Sequence, residues 1–502
     1  MYHRNSLLAA AALIPAIQLS AAETILGAYV FHRHGDRTSK STPPASLTDL
    51  GYHEILGSGT NYHDRYIAAG SPYQILGIQD ETVKLSQLAV SSPLDNVLQN
   101  SAAGWLQGLY PPVGSASNQT LRNGTVVEAP FNGYQLIPVT VQSSGSGSED
   151  NPWLQSSSSC NNALTSSNEF FSSDIYLSYL NSTTDLYKSV APVVNATFSD
   201  SQLNFKNAYV IWDLLNVALI HNSTSDNPAL SNVSNETMHE LLVLANIHEY
   251  NLAYNASSTA RAIAGAQLAG QVLSALNKTI MTNAANPRLN VQFGSYGTFQ
   301  SYFGLADLPT VDPVFYGIPD YASSMVWELI TNATVENGVF PSTSEISVRF
   351  LFNNGTSATT TDLTPYPLFG SSEVEIPWND FVANTEKFAI MNQQQWCQVC
   401  GNTTGVCASS SASSPGSSAS ASASDSGSGM SNAVAGVIGA MVTLGVILGL
   451  EVIAMLLGGL RLVKKKSLAA SAGAAETAST ENIYPFIDAD LQSYASSYRK
   501  IP

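Results

Sequence analysis

A short apolar stretch near the start of the chain, residues 24–31, restricts the fold more than any other feature. It reads Thr-Ile-Leu-Gly-Ala-Tyr-Val-Phe, so almost every side chain in it is apolar. An unbroken run of this kind is typical of a strand buried on both faces of a parallel sheet, whereas a strand with one wet face alternates. The stretch therefore predicts a strand of an α/β fold.

Further segments fit the same architecture. Alternating or short apolar runs predict strands at residues 289–293, 325–330 and 345–352. Apolar residues at helical spacing predict helices at residues 236–250 and 258–276, and Ser258 is placed to cap the second of these. Strands mixed with helices indicate an α/β core. The stretch 114–201, rich in Ser and Asn, predicts inserted loops or a cap.

The first residues of the chain have the pattern of a secretory signal peptide. A basic start with Arg4 is followed by an apolar run at residues 7–19 and by small residues ending at Ala22. The alternative is a buried N-terminal helix. We interpret residues 1–22 as the signal peptide, which places the rest of the chain in the secretory pathway.

A second apolar run, residues 433–460, is long enough to cross a bilayer, which takes about 20 residues. Arg461 and three lysines follow it, and basic residues of this kind stay on the cytosolic side. Glu451 interrupts the run, so it is expected near the inner interface or against a partner helix. A lipid-anchor signal is the alternative, but the basic tail that follows argues against it.

The predicted organisation follows from these segments. Residues 1–22 are the signal peptide, 23–407 an ectodomain, 408–432 a Ser-rich flexible stalk, 433–460 the transmembrane helix and 461–502 a cytoplasmic tail. The expected location is the plasma membrane or a secretory or vacuolar membrane, with the ectodomain outside the cytosol. The ectodomain carries twelve Asn-x-Ser/Thr sites for glycosylation, at Asn118, Asn123, Asn181, Asn195, Asn222, Asn232, Asn235, Asn255, Asn277, Asn332, Asn354 and Asn402.

Composition excludes two classes of protein. Only 11% of the 502 residues are charged and the net charge is −17, so the chain is not built to neutralise a nucleic-acid backbone. A hydrophobic content of 44% supports a large core and excludes wholesale disorder. Glycans would supply the surface polarity that charge does not.

Four cysteines, Cys160, Cys397, Cys400 and Cys407, are candidates for disulfides in an oxidising compartment. Their even number predicts two disulfides, and all three connectivities remain open at this point. The Cys-x-x-Cys pair is half of a zinc site at most, since no second pair exists. No metal and no other cofactor is therefore expected.

The chemistry is concentrated directly after the first predicted strand, in the sequence Arg33-His34-Gly35-Asp36-Arg37, which we call the basic motif. Arginine forks bind phosphate oxygens with fixed geometry, and an imidazole held between them can attack phosphorus and form a phosphohistidine. Strand ends are also where ligand sites open in α/β sheets. The alternative is a chance cluster of basic residues.

The basic motif resembles the R-H-G-x-R signature of the histidine acid phosphatases, which are similar in fold to phosphoglycerate mutases. Weaker matches follow in the family's order over most of the ectodomain, among them residues 47–66, 101–111, 293–298, 323–329 and 348–353. The Cys-x-x-Cys ending resembles fungal, membrane-anchored members. The resemblance implies a three-layer α/β core with a helical or loop cap, and hydrolysis of a small phosphorylated substrate.

Carried over by position, the resemblance makes His34 the nucleophile and Arg33 and Arg37 the phosphate-binding residues. The chain also departs from the family. The third phosphate-binding arginine is missing, and Asn96 and Val97 stand near its place. The family's His-Asp pair falls on Tyr296 and Gly297, which removes a phosphate ligand and the usual proton donor. The Tyr296 hydroxyl is retained as a candidate phosphate-binding group.

Two functions remain open on the sequence. The first is a phosphomonoesterase that works through His34, and the second is a degenerate relative that binds a phosphorylated or other anionic ligand without efficient turnover. The sequence contains no His-Glu-x-x-His zinc motif, no Gly-x-Ser-x-Gly elbow and no phosphate-binding P-loop. The oligomeric state is not indicated.

Overall fold

The computed structural model describes residues 23–142, 159–223, 227–283, 287–355 and 363–408. The predicted signal peptide, transmembrane helix and tail, and all but the first residue of the stalk, lie outside these residues. Among the helices of the described ranges, none has the length and hydrophobicity to cross a membrane.

Strands and helices alternate along the described chain. The strands are β1 (Thr24–Arg33), β2 (Leu88–Pro93), β3 (Gln119–Thr120), β4 (Val126–Val127), β5 (Thr140–Gln142), β6 (Leu289–Gly294), β7 (Ser324–Thr331), β8 (Ser347–Asn353), β9 (Thr364–Tyr366) and β10 (Glu375–Pro377). The helices are α1 (Asp49–Tyr62), α2 (Asn96–Leu109), α3 (Pro130–Gly133), α4 (Asn161–Asn168), α5 (Asp174–Ser182), α6 (Thr184–Ser189), α7 (Ala191–Val194), α8 (Ala208–His221), α9 (Asn235–Ala253), α10 (Ile263–Met281), α11 (Tyr296–Leu305), α12 (Trp378–Thr385) and α13 (Gln393–Cys400).

The main sheet is mixed, with the strand order β10-β8-β7-β1-β6-β2-β5, and β9 pairs with β8. β1 runs parallel to β6 on one side and antiparallel to β7 on the other. The first strand was expected in a parallel sheet, so this arrangement agrees on one side only. Burial on both faces makes a strand apolar whatever the direction of its neighbours, and the sequence pattern therefore does not report that direction.

Helices cover both faces of the sheet. On one face Phe31 of β1 packs in the same apolar cluster as Leu268 of α10 and Phe299 of α11. On the other face Val30 packs in a cluster with residues of α1 and α2, among them Trp105. Neighbouring residues of β1 thus serve opposite layers, as the alternation of a strand requires. The predicted α/β fold is confirmed, with a mixed central sheet and helices.

A helical cap is inserted between β5 and β6 and has its own apolar cluster. Residues of α5 to α9 and the turns between them build this cluster, with Phe170, Phe205 and Leu244 among its buried members. The stretch 114–201 therefore supplies part of a cap, as one of the two sequence interpretations had it. Its first part instead forms the β3–β4 hairpin and β5, which joins the main sheet.

The individual elements match the sequence predictions with shifted ends. The four predicted strands correspond to β1, β6, β7 and β8, and the two predicted helices to α9 and α10. The second predicted helix begins at Ile263 rather than at Ser258, because residues 259–262 form a 3₁₀ turn. Ser258 precedes that turn but its side chain makes no capping hydrogen bond.

All four cysteines are paired. Cys160 bonds to Cys400, and Cys397 bonds to Cys407. The first pair ties the start of α4, 240 residues earlier in the chain, to α13. Among the described residues no cysteine is free. The prediction of two disulfides is confirmed, and the structure selects one of the three connectivities.

Candidate functional site

The site lies at the carboxyl ends of β1 and β6, which are parallel neighbours. β1 ends at Arg33, so the rest of the basic motif forms the loop that follows it. β6 ends at Gly294, and α11 begins two residues later at Tyr296. Because parallel strands open their carboxyl ends at one edge, the sheet brings His34 and the position of the family's His-Asp pair to the same side.

Close backbone packing fixes the loop of the basic motif. A methyl group built on Gly35 would collide with the backbone of Gly51 in α1, and one built on Gly51 would collide with Asp36. The Gly35 amide donates to Ser101 Oγ of α2 at 3.3 Å, and the Asp36 amide donates to Glu54 Oε2 of α1 at 2.7 Å. The two helices therefore hold the loop through its backbone and leave its side chains for the site.

His34 is held as a neutral imidazole with a defined tautomer. Its Nδ1 lies 2.7 Å from the carbonyl oxygen of Gly35, and since a carbonyl only accepts, Nδ1 carries the proton. Nε2 is then the unprotonated nitrogen. Burial, together with the positive charges of Arg33 and Arg37, holds the pKa of the imidazole well below its usual value. His34 is 6% exposed, so little solvent reaches the ring to stabilise a positive charge on it.

Arg33 is buried beneath two tyrosine rings. Its Nη1 donates to the Pro319 carbonyl oxygen, and its Cζ lies 4.7 Å from the ring centre of Tyr321 and 5.4 Å from that of Tyr296. Its Nε is buried and has no hydrogen-bond partner among the described residues. Part of the donor capacity of Arg33 is therefore unused, as expected of an anion-binding arginine.

The two terminal nitrogens of Arg37 are bound by the cap, whereas its buried Nε has no hydrogen-bond partner among the described residues. Its Nη2 donates to Asp213 Oδ1 at 2.8 Å and to the Tyr209 hydroxyl at 2.9 Å, and its Nη1 donates to Asp213 Oδ2 at 3.3 Å. Burial alone would lower the pKa of the Arg37 guanidinium, but Tyr209 and Asp213 raise it. The fork of this arginine is occupied by a carboxylate, and a phosphate would have to displace it.

One helix of the cap, α8, lies across the whole basic motif. Near its start it presents Tyr209 and Asp213 to Arg37. At its end His221 Nε2 lies 2.6 Å from Asp36 Oδ2. The cap is thereby attached to the loop at both ends of the helix. Sequence reasoning missed these residues, because they lie 172 to 185 positions from their partners and no local pattern marks them.

Tyr296 and Gly297 stand at the start of α11. The Tyr296 hydroxyl donates to Glu249 Oε2 of α9 at 2.6 Å, and Glu249 Oε1 lies 2.8 Å from His248 Nδ1. The structure therefore places Tyr296 beside Arg33, but with its hydroxyl pointing to the cap. Gly297 is open, since a methyl group built on it would meet no atom within 4 Å.

The missing third arginine is not replaced at its own position. Asn96 is the exposed first residue of α2, and Val97 is buried. Ser101 of the same helix contacts the Gly35 amide. The helix that follows the arginine in the family thus still supports the loop, and it contributes no cation at its start.

Residues 319–323, which we call the strap, wrap around the basic motif just before β7. Besides the Arg33–Pro319 contact, the Ala322 amide donates to the His34 carbonyl oxygen at 2.8 Å, and the Arg33 amide donates to the Ser323 carbonyl oxygen at 2.8 Å. Ala322 has a φ of 60°, which is uncommon for alanine and turns the chain sharply here. The sequence pattern had marked only the last residue of the strap, Ser323, as the start of the family match at residues 323–329.

A cleft of about 240 Å³ opens between the strap and the cap. Its wall includes both charged and apolar side chains. They include Arg33, Asp320, Trp212, Met238, Leu242 and Ile318. In the described part of the chain no group of three or more His, Cys, Asp or Glu side chains is arranged to hold a metal ion.

The twelve predicted glycosylation sites all fall on described residues, and none of the asparagines is buried. Ten are exposed, and Asn255 and Asn402 are half-buried. The Asn402 amide nitrogen donates to the Ser159 carbonyl oxygen at 2.7 Å, so a glycan at this site would have to replace that hydrogen bond.

A three-layer core with a helical cap, and a neutral histidine next to an arginine at the end of its central strand, define an α/β protein of the histidine phosphatase type. The chain belongs to the histidine phosphatase superfamily (branch 2), whose family model matches residues 42–353. That region begins just after the basic motif and covers more than half of the chain. The predicted family resemblance is confirmed at this level.

Several solved structures are similar to the chain at low sequence identity. The phytase of Klebsiella sp ASR1 is 12% identical, with a TM-score of 0.51 over 74% of this chain and 95% of that one. The phytase from D. castellii is 12% identical, with a TM-score of 0.47 over 77% and 84%. The multiple inositol polyphosphate phosphatase of Bifidobacterium longum is 10% identical, with a TM-score of 0.44 over 76% and 96%. No curated protein sequence matches the chain.

Proposed function

We propose that this protein hydrolyses phosphomonoesters through a phosphohistidine formed on Nε2 of His34. The observation that carries the proposal is the 2.7 Å contact between His34 Nδ1 and the Gly35 carbonyl oxygen, which fixes the proton on Nδ1. Nε2 is then the nucleophilic nitrogen. In the first step the Nε2–phosphorus bond forms and the ester oxygen leaves, and in the second step water cleaves the phosphorus–nitrogen bond.

Electrostatics around His34 favour an incoming phosphate. The low pKa of the imidazole keeps it nucleophilic under acidic conditions. Arg33, with its unpartnered Nε, supplies positive charge beside the nucleophile, where charge develops during phosphoryl transfer.

Turnover is expected to be slow. Loss of a general acid typically removes about 10²- to 10⁴-fold in rate, and loss of one contact to a developing charge removes roughly 10²-fold more. The chain lacks both the family's Asp at position 297 and its third arginine.

Hydrolysis of 4-nitrophenyl phosphate by the purified full-length protein between about pH 4 and 7 tests the proposal. We expect activity that His34→Ala abolishes, because no other imidazole occupies the position after β1. His53→Ala is the matched control, since His53 is exposed on the neighbouring helix α1. Equal activity of wild type and His34→Ala would overturn the proposal.

The second candidate is an anion-binding protein without efficient turnover. The Arg37–Asp213 pair favours it, because the carboxylate fills the arginine fork that a phosphate would use. Calorimetric titration with orthovanadate distinguishes the two functions. Binding that requires Arg33, in a protein without His34-dependent hydrolysis, would support the second candidate.

We further propose that the protein is a single-pass glycoprotein of the secretory pathway. The signal-peptide pattern at residues 1–22, the apolar run at residues 433–460 and the exposure of ten glycosylation sites support this. Glycosidase treatment of the protein expressed in a eukaryotic host should increase its electrophoretic mobility. An unchanged mobility, or a protease-accessible N-terminal region on the cytosolic side of intact vesicles, would contradict it.

A further inference from the structure

Phosphomonoester cleavage requires a proton for the departing oxygen, and the position that supplies it in the family has no side chain here. Gly297 occupies that position, and the Tyr296 hydroxyl donates its proton to Glu249 at 2.6 Å. A functioning enzyme therefore needs an acid elsewhere at the site. The inference below rests on the proposed function.

The strap contains one carboxylic acid, Asp320, and its chain neighbours contact Arg33 and the backbone of His34. On one side of it the Pro319 carbonyl oxygen accepts from Arg33, and on the other side the Ala322 amide donates to the His34 carbonyl oxygen at 2.8 Å. The Asp320 amide itself donates to Asn354 Oδ1 at 2.9 Å. The position of residue 320 is thus determined by the same residues that would hold and attack the phosphate.

The side chain of Asp320 faces the cleft that Arg33 also lines. It is the one carboxylic acid among the described residues of the cleft wall, and no described residue donates a hydrogen bond to its carboxylate oxygens. Trp212, Met238 and Leu242 make much of the opposite wall apolar. A phosphate held by Arg33 would lie at the edge of this cleft, because Arg33 forms part of the same wall as Asp320.

The surroundings favour the protonated carboxyl group. The side chain is open to the cleft, but the protein atoms packed around it raise the pKa of Asp320 above its ordinary value, and Arg33 opposes this only in part. Four titratable side chains are near this group: Arg33 of β1, Glu54 of α1, His239 of α9 and Tyr321 of the strap.

We propose that Asp320 is the general acid of this site and that it replaces the aspartate missing at position 297. In the first step the bond between His34 Nε2 and phosphorus forms, the phosphorus–oxygen ester bond breaks, and the Asp320 proton passes to the leaving oxygen. In the second step the Asp320 carboxylate takes a proton from the attacking water. The phosphorus–nitrogen bond breaks, inorganic phosphate leaves, and the acid is restored.

Two other carboxyl groups near the motif are engaged elsewhere. Glu54 accepts the Asp36 amide at 2.7 Å and so supports the loop from α1. Glu249 accepts from Tyr296 and lies 2.8 Å from His248. Neither lines the cleft, and they provide matched controls.

A series of aryl and alkyl monophosphates with leaving groups of increasing pKa tests the assignment in the full-length protein. A good leaving group needs no proton, so Asp320→Asn should cost less than about 10-fold in kcat/KM for 4-nitrophenyl phosphate. For glycerol phosphate, whose leaving group needs a proton, Asp320→Asn should lower kcat/KM by about 10²- to 10³-fold. Asp320→Glu should recover part of this loss. Glu54→Gln and Glu249→Gln should each lower kcat/KM by a similar factor for every substrate of the series.

The outcomes separate this inference from the proposed function. A loss in Asp320→Asn that is uniform across the series, or absent, would overturn the assignment of Asp320 while leaving His34 as the nucleophile. A dependence on the leaving group that appears in Glu54→Gln or Glu249→Gln instead would move the role to that residue. Absence of His34-dependent hydrolysis in the wild type would overturn the proposed function itself. Thermal denaturation of each variant checks that it is folded.

Discussion

Arg37 and Asp213 form a buried ion pair with two hydrogen bonds, at 2.8 and 3.3 Å, and each side chain is only 1% exposed. The pair joins the loop after the central strand to helix α8 of the cap. A carboxylate in the fork of an arginine resembles a bound phosphate in both charge and geometry. The relationship therefore links the affinity of the site for anions to the position of the cap.

Asp213→Asn should strengthen anion binding. The amide keeps an acceptor for Arg37 but removes the competing negative charge, so we expect phosphate or vanadate to bind about 10-fold more tightly, which corresponds to about 1.4 kcal/mol. The free energy of unfolding should fall by a few kcal/mol, because the buried arginine loses its charged partner. Calorimetric titration and urea denaturation measure the two effects.

Asp185→Asn is the matched control for this substitution, since Asp185 is an exposed acid of the cap on α6. It should change neither quantity. Unchanged or weaker vanadate binding in Asp213→Asn would show that Arg37 takes no part in anion binding.

Gly297→Asp should increase the rate of hydrolysis. A side chain at this position meets open space, so the substitution restores a carboxyl group at the family's position without a steric cost. We expect kcat to rise by up to about 10-fold, which is less than the about 10²- to 10⁴-fold that a general acid contributes, because Asp320 already supplies a proton.

Gly297→Asn provides the comparison, because it has nearly the same shape and donates no acidic proton. The double variant Tyr296→His with Gly297→Asp restores the family pair completely, and its kcat should exceed that of the single variant Gly297→Asp. No gain in any of these proteins would indicate that the start of α11 does not face the bound substrate.

Glu54 should make stability depend on pH. Burial raises the pKa of its carboxyl group from 4.5 to about 7, so the folded state binds more protons than the unfolded state between these values. The contribution of this group to the free energy of unfolding is fully present below about pH 4.5 and is lost as the pH rises through about 7. For this half-buried side chain, allowing for solvent screening, the change is about 2 kcal/mol.

Urea denaturation of wild type and Glu54→Gln at pH 5 and pH 8 measures this contribution. The variant keeps an oxygen that accepts the Asp36 amide, but it does not titrate. Its loss of stability between the two pH values should be about 2 kcal/mol smaller than that of the wild type. Parallel behaviour of the two proteins would contradict the raised pKa.

The Cys160–Cys400 disulfide should contribute strongly to stability, because it closes a loop of 240 residues. Substituting both cysteines by serine should lower the free energy of unfolding by about 3 to 5 kcal/mol. The Cys397–Cys407 bond spans only 10 residues, so its removal should cost less. Peptide mapping without reduction should recover these two pairs, and any other pairing would contradict the structure.

Local features of the sequence were sufficient for the core and for the nucleophile. Residues 24–31 predicted β1 because burial on both faces leaves a continuous apolar run, and the basic motif follows that strand directly. Both β1 and the basic motif can be recognised from a few residues that are adjacent in the sequence. The start of α10 was predicted too early, because Ser258 precedes a 3₁₀ turn and its side chain makes no capping hydrogen bond.

Long-range contacts account for what the sequence did not reveal. Asp213 is an unremarkable acid in an apolar helical segment, and only the fold brings it to Arg37, 176 residues away. Asp320 precedes β7 without any motif, and its relation to His34 depends on the strap. The disulfide pairing likewise required the docking of α4 near α13, which no spacing rule supplies.

The covalent intermediate on His34 is the most direct test of the account. The full-length protein is quenched in alkali during turnover of a ³²P-labelled aryl phosphate, and labelled peptides are then mapped. We expect an alkali-stable, acid-labile phosphoryl group on His34, and no label in His34→Ala. Turnover that proceeds without any labelled histidine, or with the label on another residue, would contradict the assignment of His34 as the nucleophile.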